Sequence, residues 1–170
     1  MKRNLLLSPG PSKVPPELCE ALGRPIIHHR TPQFQNVLKE VFEGLKKVLK
    51  TQNDVFIFAS SGTGAMEAAV CNLLSSGDKA ITVEAGKFGE RWTELCKAYG
   101  AVPKVIQVTW GKSVSATVIK EALNADKDAK AVFITLCETS TATMPDVKAI
   151  ADVVKSTNAV LVIDAVSGLG

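Results

Sequence analysis

Mostly apolar runs of four or five residues alternate with helical stretches, and that alternation leaves few folds open to this chain. The runs are Val55-Phe56-Ile57-Phe58, Ala80-Ile81-Thr82-Val83, Val105-Ile106-Gln107-Val108, Ala131-Val132-Phe133-Ile134 and Ala159 to Ile163. Between them the apolar spacing is helical over Gly62 to Leu74, Gly89 to Tyr99, Ala116 to Leu123 and Val147 to Lys155. A strand that is apolar on both faces must be covered on both faces. Strands of this kind separated by helices imply an α/β fold with a mainly parallel sheet and helices on each side. The last run is apolar enough to be expected inside the sheet, with neighbours supplied by sequence beyond Gly170.

Upstream of this alternation, Pro15-Pro16-Glu17 opens a short helix that Gly23 closes. Thr31-Pro32 caps a long one. In it Phe34, Val37, Leu38, Val41, Phe42, Leu45, Val48 and Leu49 recur at spacings of three and four, which predicts one buried stripe. Composition narrows the function classes. With 46% hydrophobic and 22% charged residues over 170 positions, the chain reads as globular, not disordered. Its 20 basic and 17 acidic residues are interspersed, and Lys46-Lys47 with Lys50 reads as a solvated helix face, so no nucleic-acid partner is expected. No apolar run approaches the roughly 18 residues of a membrane span. Leu5-Leu6-Leu7 is cut short by Pro9-Gly10-Pro11, so a cytoplasmic protein is expected and not an exported one. Cys19, Cys71, Cys96 and Cys137 form no CxxC pair and read as buried free thiols.

Ligands of open α/β sheets bind where strands give way to helices. The first such turn is Ala59-Ser60-Ser61-Gly62-Thr63-Gly64-Ala65. Exposed amides at a helix start suit an anion, phosphate above all, and Ser61 and Thr63 add hydroxyls. A tight turn that merely needs glycine is the alternative. A dinucleotide fold is the obvious rival, since Gly62 and Gly64 fit the start of GxGxxG and Glu84 ends the next strand near the ribose position. Against it, Glu67 occupies the third glycine position, and no GK[ST] follows for a Walker loop. In the second turn Phe88 stands between Gly86 and Gly89, where its ring could stack on a flat heteroaromatic ligand or fold back on the core. Glu138-Thr139-Ser140-Thr141 could serve a ligand or a helix cap equally. Asp164 ends an apolar strand, where a carboxylate needs a metal, a cation, a protonated ring nitrogen or the amides of a turn. A phosphate cradle, a ring, hydroxyls and one carboxylate on successive strand ends together meet the needs of pyridoxal phosphate.

On these residues the chain resembles the N-terminal part of the class V pyridoxal-phosphate aminotransferases, in the alanine/serine–glyoxylate group, from Leu6 to Gly170. The resemblance is carried by Pro9-Gly10-Pro11, His29 to Phe34, Ser61-Gly62-Thr63-Gly64 with Glu67-Ala68-Ala69, Gly86 to Arg91, Glu138 to Thr141 and Val162 to Val166. It implies a partial large domain of the fold-type I pyridoxal-phosphate transferase fold. Residues 1–30 would form an N-terminal arm and short helix, and 31–170 an incomplete cofactor-binding domain, with the C-terminal small domain lying outside the chain. Ser61, Gly62, Thr63, Gly64 and Ala65 would bind the cofactor's phosphate. Phe88 would stack on its ring, Thr139 would lie near the ring oxygen, and Asp164 would pair with the pyridine nitrogen. Gly10 would touch substrate, and no metal is implied. The family's cofactor lysine follows the Asp strand, beyond Gly170. No catalytic residue is therefore expected within the chain, and the chain alone is expected to be inactive. Ala142 stands where relatives commonly have Gly. The implied activity moves an amino group from serine or alanine to a 2-oxo acid such as glyoxylate, in a homodimer. Other readings are a class V lyase or desulfurase, half of a split enzyme, and a non-catalytic phosphate-ligand module.

Overall fold

The computed structural model describes residues 5–169, which divide into a unit ending at Ile57 and a unit running from Phe58 to Leu169. The first unit holds α1 (Pro16–Leu22) and α2 (Pro32–Leu49). Pro16 opens α1 and Gly23 follows its end, while Thr31 caps α2 by accepting the Phe34 amide at 3.3 Å. Lys46 and Lys47 occupy the last turn of α2, where the helix dipole favours cations. The stripe expected to be buried along α2 is not covered: no residue of this helix is buried, and Val37, Val41 and Val48 are exposed. Periodicity determines which face of a helix is apolar but does not supply the surface that covers it.

The second unit contains β1 (Lys79–Glu84), β2 (Val102–Gln107), β3 (Ala131–Thr135) and β4 (Val160–Asp164), with α3 (Gly62–Leu73), α4 (Lys87–Ala98), α5 (Ala116–Ala125) and α6 (Val147–Val154). The strands lie in the order β2-β1-β3-β4, and every pair is parallel. β1 and β3 sit in the middle and are buried along nearly their whole length. The pleat sends Ile81, Val83, Val132 and Ile134 to one face, against Ile119 and Leu123 of α5 and Ile150 and Val154 of α6. It sends Ala80, Ala131 and Phe133 to the other face, against Met66 and Val70 of α3 and Trp92 and Cys96 of α4. The rings of Trp92 and Phe133 lie 4.8 Å apart, within the range of favourable aromatic pairs. Thr82 is buried among them, and its hydroxyl is satisfied by that of Thr93 on α4 at 2.7 Å. Helices therefore cover both faces of a parallel sheet, the architecture implied by the alternation.

Several local expectations are corrected. Val55 to Phe58 forms no strand, so the sheet has four strands among the described residues, not five. Phe56 is 77% exposed, and an apolar run becomes a strand only where a ladder partner accepts it. β4 is at an edge of the sheet among the described residues, with Val160 and Ile163 exposed; this is no correction, because the neighbours expected for it were placed beyond Gly170. α4 begins two residues earlier than its apolar spacing indicates, which places Phe88 in its first turn and not in a loop. β2 begins at Val102 and tolerates Pro103 because it too is an edge strand. Only Cys96 is buried; Cys19 and Cys71 are exposed, Cys137 is half-buried, and all four are free. Burial pushes the Cys96 thiol up to about 11. No helix among the described residues is long and apolar enough to cross a membrane.

Candidate functional site

Strand order reverses at β1, which has β2 on one side and β3 on the other. Open α/β sheets bind ligands outside the carboxyl ends of their strands at such a switch point. A cavity of about 240 Å³ opens at these strand ends. Ser61, Gly62, Thr63 and Met66 line it from the start of α3, and Phe88 and Arg91 from α4. Cys137 and Thr139 enter past the end of β3, and Asp164, Val166 and Ser167 at and past the end of β4.

Six residues singled out in the sequence thus meet in one cavity: Ser61, Gly62, Thr63, Phe88, Thr139 and Asp164. Gly64 and Ala65 do not line it. Gly64 packs under the turn, where a Cβ would overlap the Ser60 side chain, and Ala65 is exposed. Gly10 is exposed in the other unit. Arg91 is the notable residue that the sequence reading missed. It follows Phe88 by three positions, so the two share a helix face, and that spacing was the available signal.

Capping explains why these helix ends differ from the others. α2, α5 and α6 are capped by their own Thr31, Ser115 and Asp146. α3 has no side-chain cap, and the amides of Gly62 and Thr63 meet no protein acceptor among the described residues. That end of α3 is therefore open for an anion. The N-cap of α4 is Gly86, which has no side chain to offer. Its first amides are satisfied from across the sheet. Phe88 donates to Glu138 Oε1 at 3.3 Å, Gly89 to Glu138 Oε2 at 2.9 Å, and Lys87 to Ser140 Oγ at 3.0 Å. Ser140 itself donates to Glu138 Oε1 from its hydroxyl at 2.6 Å and its amide at 3.4 Å. Glu138 is only 2% exposed.

The cavity's charges are less satisfied. Arg91 Nη1 donates to Thr63 Oγ1 at 2.9 Å, and its guanidinium lies 5.5 Å from the centre of the Phe88 ring. Arg91 forms no ion pair among the described residues, and neither does Asp164. One oxygen of Asp164 accepts the Val166 amide at 3.0 Å, the turn-capping role that the sequence left open, while Oδ2 accepts no hydrogen bond among the described residues. The hydroxyls of Thr139 and Ser167 lie 2.7 Å apart. No lysine among the described residues lines the cavity. Lys87, next to Phe88, is paired with Glu90 at 2.6 Å, and that bond raises its pKa. The acid of the rival dinucleotide reading, Glu84, is engaged elsewhere, with Gln107, and Glu67, which stood against that reading, accepts from the Tyr99 hydroxyl. The arrangement suits a flat, phosphorylated heterocycle carrying a basic nitrogen.

Comparison with known proteins identifies the family. The family profile described as Aminotransferase class-V matches residues 5–170. An uncharacterized aminotransferase of Methanocaldococcus jannaschii is 41% identical over 168 residues, which is 99% of this chain and 44% of that protein. An L-aspartate–glyoxylate aminotransferase of Paracoccus denitrificans is 38% identical over 173 residues, with 99% and 44% covered. The crystal structure of an alanine–glyoxylate aminotransferase from Nostoc sp. superposes with a TM-score of 0.93 at 29% identity, covering 100% of this chain and 45% of that one. The chain therefore spans less than half the length of these relatives. Its sheet and flanking helices have the fold of the fold-type I aminotransferases. With the family profile matched from residue 5 to residue 170 and the fold shared, the chain belongs to the class V aminotransferase family.

Proposed function

We propose that the chain is the cofactor-binding N-terminal part of a longer pyridoxal-phosphate-dependent aminotransferase. Its reaction moves an amino group from a small amino acid, such as serine or alanine, to a 2-oxo acid such as glyoxylate. The reading rests on one observation: an uncapped helix end, an aromatic face and an unpaired carboxylate converge on one cavity in a chain of this family. Glyoxylate aminotransferases among the relatives support the substrate class.

The donor set fits the cofactor. The free amides of Gly62 and Thr63, with Ser61, would hold its phosphate, while Gly64 and Ala65 shape the turn. Phe88 offers the face for the ring, and Thr139 a hydroxyl for the ring oxygen. Asp164 Oδ2, free of donors among the described residues, would hold the proton of the ring nitrogen. With that nitrogen protonated, the bound cofactor serves as a sink for the electrons released at the amino acid's α-carbon. Arg91 braces Thr63 and adds positive charge beside the phosphate turn. Gly10 is assigned to substrate, and the homodimer is assigned, on the family resemblance alone.

Three features support a longer polypeptide. The relatives are more than twice as long, no described lysine lines the cavity, and the outer edge of β4 exposes Val160 and Ile163 with no strand beside it among the described residues. Titrating the protein with pyridoxal phosphate, and separately with NAD, while following visible circular dichroism and Trp fluorescence, tests the cofactor assignment. Binding of pyridoxal phosphate and not NAD is expected, and the reverse overturns it. Isolated residues 1–170 should show no turnover with serine and glyoxylate. Turnover by that chain alone would refute the need for a lysine from elsewhere.

A further inference from the structure

We propose that Glu138 is a positioning residue that locks the aromatic wall of the cavity to its hydroxyl wall, fixing where the cofactor ring lies. The inference rests on the function proposed above. Glu138 touches no cavity space; its neighbours in sequence, Cys137 and Thr139, line the cavity. Its carboxylate reaches instead to α4, where it accepts the amides of Phe88 and Gly89. One side chain thus ties together the residue that offers the ring face and the residue that offers the hydroxyl, which come from different strand ends.

A structural cap alone does not account for this choice. Helix starts are ordinarily capped by a Ser, Thr, Asn or Asp at the N-cap itself, and burying a carboxylate is costly unless every lone pair is used. α4 has given up the local solution. A Cβ on Gly86 would overlap Ser140 Oγ and lie 2.6 Å from Glu138 Cγ and Cδ. The glycine leaves room for the carboxylate, and the carboxylate supplies what the glycine cannot. Four donors from two segments then converge on Glu138, namely Phe88 and Gly89 on one side and the amide and hydroxyl of Ser140 on the other. Such a charge-assisted set holds direction as well as distance. Phe88 in turn carries Arg91 on the same helix face, and Arg91 reaches Thr63, so the geometry set at Glu138 extends to the phosphate turn.

The test uses the full-length protein and E138Q, which keeps the shape but places an NH₂ among groups that already donate. The expected result is a loss of visible dichroism per bound pyridoxal phosphate and roughly tenfold weaker cofactor binding, the scale of a lost hydrogen bond to a charged group. In an F88L background E138Q should add little, because the ring face it positions is gone. S140A, which removes the acceptor for Lys87 and the shortest bond to Glu138, should give the same change at smaller amplitude, and it reports even if E138Q does not fold. A cofactor dichroism per bound molecule that stays at the wild-type value in E138Q or S140A overturns the inference, even if thermal stability falls. So does simple addition of the E138Q and F88L effects. Absence of any cofactor band in the wild-type protein overturns the functional reading and this inference together.

Discussion

Replacing Gly89 by Ala tests how closely α4 sits on the central strand. Gly89 is buried in the first turn of α4. An added Cβ would overlap the Val83 carbonyl oxygen and lie 3.0 Å from Glu84 Cα and 3.3 Å from Val83 C. All of these are backbone atoms of β1, which is held between β2 and β3 and has little freedom to yield. Overpacking costs about 1–3 kcal/mol, and a backbone obstacle places this case at the upper end. Against that, Ala gains about 1 kcal/mol over Gly inside a helix. The net is a loss of about 2 kcal/mol. The same substitution at Gly44 meets nothing within 4 Å, so it should keep the helical gain of about 1 kcal/mol. The two changes are chemically identical, and opposite signs would isolate the close approach. α4 can relieve the overlap only by moving off β1, which carries Phe88 and Arg91 with it. G89A should therefore also weaken pyridoxal-phosphate binding, while G44A should not. Peptide-resolved hydrogen exchange over β1 and α2, with a cofactor titration beside it, reads all of these outcomes. Protection of β1 in G89A equal to or above wild type would refute the reasoning.

D164N can still accept the Val166 amide but loses the charge offered to a protonated ring nitrogen. Pyridoxal phosphate should bind about ten- to a hundredfold more weakly by spectral titration, with the melting temperature nearly unchanged. Ala142 is exposed and held at a φ of 54°, in the left-handed region. A142G should relieve about 1 kcal/mol of strain and raise Tm by roughly 2–4 °C in calorimetry. Iodoacetamide at mildly alkaline pH should label Cys19 and Cys71 and spare Cys96, as read by mass spectrometry, because only Cys96 is buried with its thiol near 11. The folded chain keeps that proton between the ordinary value of 9.0 and about 11, while the unfolded chain loses it. The contribution of Cys96 to stability is thus complete below the lower value and lost as pH rises through the upper one, and C96A should flatten that decline.

What the sequence disclosed depended on whether the cause was local. β1 and β3 were legible because both of their faces are buried, which makes their central residues mostly apolar. Val55 to Phe58 has the same letters, but whether a run joins a sheet depends on a neighbour that composition does not name. β4 was legible as a strand, and its place within the sheet depends on neighbours for the same reason. The starts of α2, α5 and α6 are fixed locally, because Thr31, Ser115 and Asp146 sit directly before them and cap them. The start of α4 was misread because its cap comes from Glu138, 50 residues away in sequence from Phe88.

The candidate site divides along the same line. Phe88, Thr139 and Asp164 follow strand ends, so strand order alone brought them forward. Glu138 and Asp164 show what lay out of reach. Each is an acid at or just past the end of an apolar strand, and β3 and β4 are neighbours in the sheet. Read as letters, the two are interchangeable candidates for a ligand. In the fold, the Glu138 carboxylate accepts from Phe88, Gly89 and Ser140, whereas the Asp164 carboxylate accepts only from Val166 among the described residues. A buried carboxylate surrounded by donors has no capacity left for a ligand, and one with a free oxygen facing a cavity does. The number of donors that the tertiary fold brings to each acid, which no local pattern contains, separates the residue that would hold the cofactor from the residue that would hold the site in shape.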